Sequence, residues 1–289
     1  MKMKFRQRVA LGYYRTRINT IGLVSTQKAA VVAFDLFSNP FRSNAKKIAP
    51  AIFHKASPLS IQLRQLTIRG FQWKNNHPDA KKILIVHGFG SYAYKFDSYI
   101  VALLKEGFEV LAFDAPAHGS SEGKRINALL YRDMILEINN QYGPLYGIIA
   151  HSLGGLAASL AMEQIKKNIP AKLVLIAPAT ETKTAIEHFF GIIKVDTAIK
   201  IAFYKIIEAL AKQPISYFSV ARVVRNANFN ILWVHDEEDN ICSFKDVKPL
   251  INEQLPKLEL FITKGLGHNK IYKTNSIKDK ILHFLVNKS

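Results

Sequence analysis

Apolar positions change their spacing along the chain, and each change marks a new kind of element. Over residues 1–58 the spacing is helical, with a break near Gly22 and a cap at Ser25 or Thr26. An apolar run over 29–37 follows, ended by Pro40, and Val31, Phe34, Leu36 and Phe37 give it one apolar face. Pro50 and Pro58 mark a linker. From Ser60 the pattern alternates through Ile61, Leu63, Leu66, Ile68, Phe71 and Trp73, which predicts two paired, antiparallel strands. Unbroken apolar runs then appear at 83–86, 110–113 and 173–177, and 148–152 opens with Ile148, Ile149 and Ala150, the pattern of strands buried on both faces of a parallel sheet. Helical stretches at 92–105, 126–141 and 153–167 separate them.

This repeat of strand, helix and strand predicts an α/β domain whose mostly parallel central sheet carries helices on both faces. Residues 180–226 interrupt the rhythm with Phe189, Phe190, Ile192, Ile193, Ile199, Phe203, Ile206 and Leu210 at helical spacing. They are expected to form a helical cap over the strand ends. Strands resume at 231–234 and 258–262, and Ile277, Ile281, Leu282 and Leu285 close the chain as an amphipathic helix. The expected organisation is an N-terminal helical arm (1–58), a core (59–179 and 227–289) and a cap insertion (180–226).

The run at 148–151 stops at Ser152, which is followed by Leu153, Gly154 and Gly155 and then by helical apolar residues. A serine at a sharp strand-to-helix bend exposes its hydroxyl at the carboxyl edge of the sheet. The usual frame is Gly-x-Ser-x-Gly; here Ala150 occupies the first place and Gly154 the last. In parallel α/β sheets functional groups gather at that edge. Two later segments put titratable groups there as well: 235–240, with Asp236, Glu237, Glu238 and Asp239, and 265–268, ending in His268. Serine chemistry needs a base, an acid to orient it, and amide donors for the developing oxyanion.

Composition adds little to the fold and something to the surface. With 48% hydrophobic and 21% charged residues the chain is an ordinary globular protein. The net charge of +18 is uneven: 1–58 holds 11 Lys or Arg against one acid, Asp35. Such an arm can attract an anionic membrane surface; without an aromatic-spaced RNA motif or a helix-turn-helix signature, no nucleic-acid partner is expected. Arg15 and Arg17 interrupt the uninterrupted apolar run of roughly 7–15 residues that a signal peptide needs, so a cytoplasmic protein is expected. The one cysteine, Cys242, permits no internal disulfide. Neither a metal-ligand cluster nor a phosphate-binding glycine loop stands in the sequence, so no cofactor is expected.

Four features, taken in order, resemble the α/β-hydrolase fold family over roughly 59–289. They are His87-Gly88 after an early buried strand, the turn from Asp114 to Ser121 (Asp-x-x-x-His-Gly-x-Ser), the serine elbow, and an acid followed by a histidine. The resemblance implies Ser152 as nucleophile, His268 as general base, and the backbone amides of Phe89 and Leu153 as oxyanion donors. For the acid it favours Asp239, three residues after a position that is glycine in the family and Asp236 here; Asp236 stays open as the alternative. His118, His151 and Asp114 are expected to serve structural roles. A serine nucleophile sets the chain apart from the family's dehalogenases and epoxide hydrolases, which attack with aspartate.

The function expected from this resemblance is hydrolysis of a carboxylic ester or thioester through an acyl-enzyme. The segment 180–226 holds seven basic residues against four acids among many Ile and Phe, which suits an apolar acyl group better than a free amine. A peptidase or amidase of the same fold is the enzymatic alternative. A hydrolase-fold protein that has lost catalysis and binds a partner or membrane is the other.

Overall fold

A computed structural model describes residues 5–40, 48–75, 77, 79–165 and 171–287. Parts of the basic arm (1–4 and 41–47) and the end of the expected helix 153–167 lie outside the described residues. The chain divides into two compact units, one of Met1–Asn39 with Glu181–Phe218, the other of Pro40–Thr180 with Ser219–Ser289.

The larger unit is built on eight strands: β1 (Ser57–Leu63), β2 (Leu66–Trp73), β3 (Lys82–Val86), β4 (Glu109–Phe113), β5 (Gly147–His151), β6 (Lys172–Ile176), β7 (Asn230–Asp236) and β8 (Leu258–Thr263). They lie in the order β1-β2-β4-β3-β5-β6-β7-β8. β1 pairs antiparallel with β2, and β2 with β4; every other pair is parallel. The unbroken apolar runs are explained by this arrangement, because β3 to β7 are sandwiched and bury alternate residues on opposite faces. Ile83, Ile85, Val110, Ala112, Ile149, Val174 and Leu232 form one face with Tyr99, Ile100 and Leu103 of α3 (Asp97–Lys105) and Ile277, Ile281 and Leu285 of α11 (Asn275–Val286). On the other face α5 (Leu153–Met162) crosses so closely that a Cβ on Gly155 would stand 2.6 Å from Pro178, just past β6. α4 (Ala128–Tyr142) packs beside α5, and α8 (Val220–Arg225) packs on it from the other strand end of the chain. Short helices α9 (Lys248–Ile251) and α10 (Gly267–Lys270) complete this unit.

Lys172, at the start of β6, is 2% exposed, an unusual place for an ammonium group. Its Nζ donates to the carbonyls of Phe284 (2.5 Å), Leu285 (3.4 Å) and Asn287 at the end of α11. Those are helix carbonyls with no partner inside the helix, at the negative end of its dipole. Lys172→Met keeps the stem and removes the charge, so we expect a loss of about 2 kcal/mol in urea unfolding. An unchanged unfolding midpoint would show that water serves these carbonyls equally well.

The smaller unit is helical: α1 (Phe5–Val24), α2 (Thr26–Ser38), α6 (Thr182–Ile193) and α7 (Thr197–Ala211). Ser25 ends the first helix and starts the second, its Oγ accepting from Lys28 N at 3.3 Å. Ile18, Ala29, Ala30, Ala33 and Leu36 share a core with Ile186, Phe190, Ile193, Ile199, Ala202 and Phe203. The buried face of α2 matches the expected one at Leu36, Phe34 and Phe37, the two phenylalanines packing against Phe203, but not at Val31. Its alanines are buried, because small side chains let α7 approach, while Val31 is 46% exposed.

These units redraw the expected segment boundaries. The helices of residues 5–38 share a core with 182–211 instead of forming an arm of their own, because neither pair alone can cover its apolar stripe. Residues 48–58 belong with the sheet: Phe53 packs edge-on against Phe71 and Trp73, and Trp73 Nε1 donates to Ile52 O at 2.9 Å. α8, inside the expected cap insertion, is likewise part of the larger unit. Among the described residues, no helix is long and apolar enough to cross a membrane.

Candidate active site

Ser152 joins β5 to α5 with φ +55° and ψ −124°, a conformation a residue with a Cβ adopts only when its surroundings impose it. Its own backbone is held from both sides. Ser152 N donates to Ile176 O (3.1 Å), and Ser152 O accepts from Gly155 N (2.9 Å) and Ala179 N (3.0 Å). The glycines explain how chains pass this closely. A Cβ on Gly154 would stand 2.5 Å from His87 O, and one on Gly88 would stand 2.9 Å from both His151 Nδ1 and Ser152 Cβ. Ala150, the departure from the usual frame, is fully buried within β5 and stays in register with Val86 and Leu175. The crowding falls on Gly154.

His268 lies in the first turn of α10, and Asp239 in the turn after β7. His268 Nε2 is 3.0 Å from Ser152 Oγ, and its Nδ1 is 2.8 Å from Asp239 Oδ2. The other oxygen of Asp239 accepts from the amides of Ile241 and Cys242, each at 2.8 Å. Burial pushes the Asp239 carboxyl up, but the hydrogen bond and charge of His268 and the two amides outweigh it, and its pKa lies below the ordinary carboxylate value. All three side chains are buried.

Asp236 does other work. Its Oδ1 accepts from Glu238 N (3.0 Å), and its Oδ2 from Thr263 Oγ1 (2.7 Å) and Leu266 N (3.0 Å). The carboxylate therefore ties the turn that carries Asp239 to the segment that carries His268. It does so from the place the family gives to glycine.

The segment after β3 carries Phe89, whose amide, like that of Leu153, has no protein acceptor among the described residues. Three side chains set its path. His87 Nε2 accepts from Ala115 N (2.9 Å) and its Nδ1 donates to Gly88 O (2.8 Å). His118 Nε2 accepts from Gly90 N (2.9 Å) while its Nδ1 donates to Pro116 O (2.9 Å). Asp114 accepts from Ala93 N at 2.9 Å and from Ser120 N at 2.8 Å, bridging the two loops. Tyr131 of α4 adds a hydroxyl donated to His87 O at 2.8 Å. An acceptor role at one nitrogen and a donor role at the other leave both histidines neutral.

Residues 77–218 match the family described as serine aminopeptidase, S33. Over 125 residues the chain is 30% identical to an uncharacterized hydrolase, YugF, of Bacillus subtilis (strain 168). That match covers 39% of this chain and 44% of the relative, less than half its length. Among solved structures, the esterase Pf2001 of Pyrococcus furiosus superposes with a TM-score of 0.64 at 21% identity, over 86% of this chain and 98% of that one. Est1E of Butyrivibrio proteoclasticus, with ferulic acid bound, gives 0.58 at 18% identity, over 79% and 100%. This is the α/β-hydrolase fold.

Within the α/β-hydrolase fold as this chain builds it, two groups around the site, Cys242 and His235, were not assigned from sequence. Cys242 puts Sγ 3.9 Å from Ser152 Oγ. Burial, with the charge of Asp239, raises the pKa of this thiol, which makes it an inert neighbour of the serine. His235 donates Nε2–H to Cys242 O (2.9 Å) and accepts from Trp233 Nε1 (3.2 Å), so it braces the turn that holds Asp239. No sequence signal separated it from the acids beside it. Among the described residues no three His, Cys, Asp or Glu side chains are grouped to hold a metal ion.

His151, expected to be structural, has a specific task. It donates Nε2–H to the carbonyl of His268 at 3.2 Å, tying the elbow to α10, and its ring lies against Tyr272. Burial, then repulsion from the His268 charge, lowers its pKa to about 3, against the pull of the His268 carbonyl and of Asp239. The unfolded chain takes up this proton near the ordinary value of about 6.5. Folding stability contributed by neutral His151 is therefore complete above that pH and falls steadily as pH drops toward 3. We expect His151→Gln, which keeps an N–H donor and cannot titrate, to flatten the fall of the unfolding midpoint over this window. Identical slopes in variant and wild type would place the proton uptake elsewhere.

Proposed function

We propose that the protein is a serine hydrolase that cleaves a carboxylic ester or thioester with an apolar acyl group through an acyl-enzyme. The observation that carries this reading is the continuous chain from Ser152 Oγ through His268 to Asp239, at 3.0 and 2.8 Å. Its parts are those nucleophilic acyl transfer needs. The Ser152 hydroxyl gives its proton to His268 Nε2 as Oγ bonds to the acyl carbon. The carbonyl π pair moves to oxygen, and the oxyanion is held by the amides of Phe89 and Leu153. Collapse breaks the bond to the leaving alcohol or thiol, which takes the proton from His268. Water then repeats the sequence, leaving the carboxylic acid and free Ser152. Asp239 stays ionised throughout and orients the imidazole, and each oxyanion donor contributes about 10²–10³-fold to the rate.

Several features support an acyl rather than an aminoacyl substrate. Phe89, on the segment with the first amide, is 43% exposed, and Ile241, two residues after Asp239, is 54% exposed. Of the acids at the end of β7 and in the turn after it, Asp236 and Asp239 have their oxygens engaged, so neither carboxylate is available to hold a free amine. The matched family's description as a serine aminopeptidase favours the second reading, a peptidase or amidase using the same three side chains. With a single cysteine in the chain, kept as a thiol, the reading goes with a cytoplasmic enzyme.

A panel of nitrophenyl esters of rising acyl length beside aminoacyl nitroanilides decides between them. Esters are expected to react faster, with kcat/KM rising from acetyl to medium-chain acyl groups. Faster turnover of the aminoacyl amides would replace this reading with the peptidase one.

A further inference from the structure

The smaller unit has one end at which two turns meet. Asn19 Nδ2 of α1 donates to Lys194 O, after α6, at 3.3 Å, and a Cβ on Gly22 would come within 2.6 Å of Ile199 at the start of α7. The α1–α2 and α6–α7 turns therefore lie side by side. At that end Leu23 and Val24 are each 89% exposed, and Ile192, on the last turn of α6, is 41% exposed. A lone exposed leucine needs no explanation. Two consecutive aliphatic residues almost wholly in water form a patch.

The charges around the patch are mostly basic. Residues 15–28 hold Arg15, Arg17 and Lys28 and no acid, and 192–200 hold Lys194 and Lys200 with only Asp196. Asp196 is committed to capping α7 through Ala198 N at 2.7 Å, and Lys200 pairs with Glu187 at 3.8 Å. The face of α2 that carries Phe34, Leu36 and Phe37 is consumed by the core of this unit, so a membrane would have to be met elsewhere. A protein partner would be expected to find a groove or an aromatic anchor. Here two exposed aliphatic residues stand in a segment whose charges are basic, which matches the chemistry of an anionic bilayer interface.

We propose that this end of the smaller unit docks on an anionic lipid surface, with Leu23 and Val24 entering the headgroup boundary and Lys28, Lys194, Arg15 and Arg17 facing the lipid phosphates. The proposal does not depend on the hydrolase reading, and its test reads binding alone. Full-length protein is sedimented with vesicles of phosphatidylcholine, with and without phosphatidylglycerol, and circular dichroism melting confirms that each variant folds. Wild type is expected to bind the phosphatidylglycerol vesicles and to be released by salt. Leu23→Ser with Val24→Ser should weaken that binding by roughly tenfold, and Lys28→Glu with Lys194→Glu by roughly thirtyfold. Failure of wild type to bind, or equal binding by the Leu23→Ser, Val24→Ser variant, would overturn the proposal. So would absence of vesicle binding together with a dimer in sedimentation velocity that the serine variant dissociates, because the patch would then be a contact between two copies.

Discussion

Ser152→Ala is expected to lower kcat/KM on a nitrophenyl ester by roughly 10⁵-fold or more while leaving the unfolding midpoint nearly unchanged. The size of the loss follows from what the hydroxyl does. Without Oγ there is no atom to form the acyl-enzyme, and what remains is binding, the amides of Phe89 and Leu153, and His268 acting on water. The small stability effect follows from the local structure. The backbone of Ser152 is held by Ile176 O, Gly155 N and Ala179 N, and among the described residues its hydroxyl reaches only His268 Nε2 and the Cys242 thiol. Alanine tolerates the positive φ no worse than serine does. Retention of a tenth or more of wild-type activity by a folded variant would remove Ser152 from the mechanism.

The second large effect separates two aspartates that lie three residues apart. Asp239 Oδ1 accepts from two amides, so in Asp239→Asn the carbonyl oxygen stays with Ile241 and Cys242, and the new NH₂ turns toward His268 Nδ1. Two donors would then face each other. The imidazole answers by carrying its proton on Nε2, where it can no longer accept from Ser152. A fall of about 10⁴-fold in kcat/KM is expected, with the protein still folded. Asp236→Asn places its NH₂ against either Glu238 N or the pair Thr263 Oγ1 and Leu266 N. It should cost about 2 kcal/mol of stability and change kcat/KM far less than Asp239→Asn. A reversed ranking of the two variants in activity would move the orienting acid to Asp236.

The sheet was legible in the sequence because burial on both faces writes itself as unbroken apolar runs. The runs at 83–86, 110–113 and 173–177 and the stretch 148–152 each fall on β3 to β6 to within a residue at either end. The elbow was legible because its tight approach to His87 demands Gly154, whereas the first glycine of the frame proved replaceable at Ala150. What spacing alone could not resolve was direction. Asp236 ends β7 and Asp239 lies three residues on, and only the hydrogen bonds of the turn decide which carboxylate reaches His268. Helix pairing across 140 residues of intervening chain was equally invisible. Of the face expected for α2, Leu36 is buried and Phe34 and Phe37 pack against Phe203 of α7, but Val31 is exposed and Ala29, Ala30 and Ala33 fill the rest of the contact, since close approach between helices selects small side chains as well as apolar ones. Cys242 said nothing in the sequence because its place beside Ser152 depends on a turn that brings together residues 90 apart.

The central claim is that Ser152 is the activated nucleophile, and covalent capture addresses it most directly. Folded wild-type protein is treated with a fluorophosphonate, digested, and mapped by mass spectrometry. A single phosphonyl adduct on the peptide that contains Ser152, lost in Ser152→Ala and sharply slowed in His268→Gln, is the predicted result. No adduct on the folded protein, or an adduct on another serine that persists in Ser152→Ala, would contradict it.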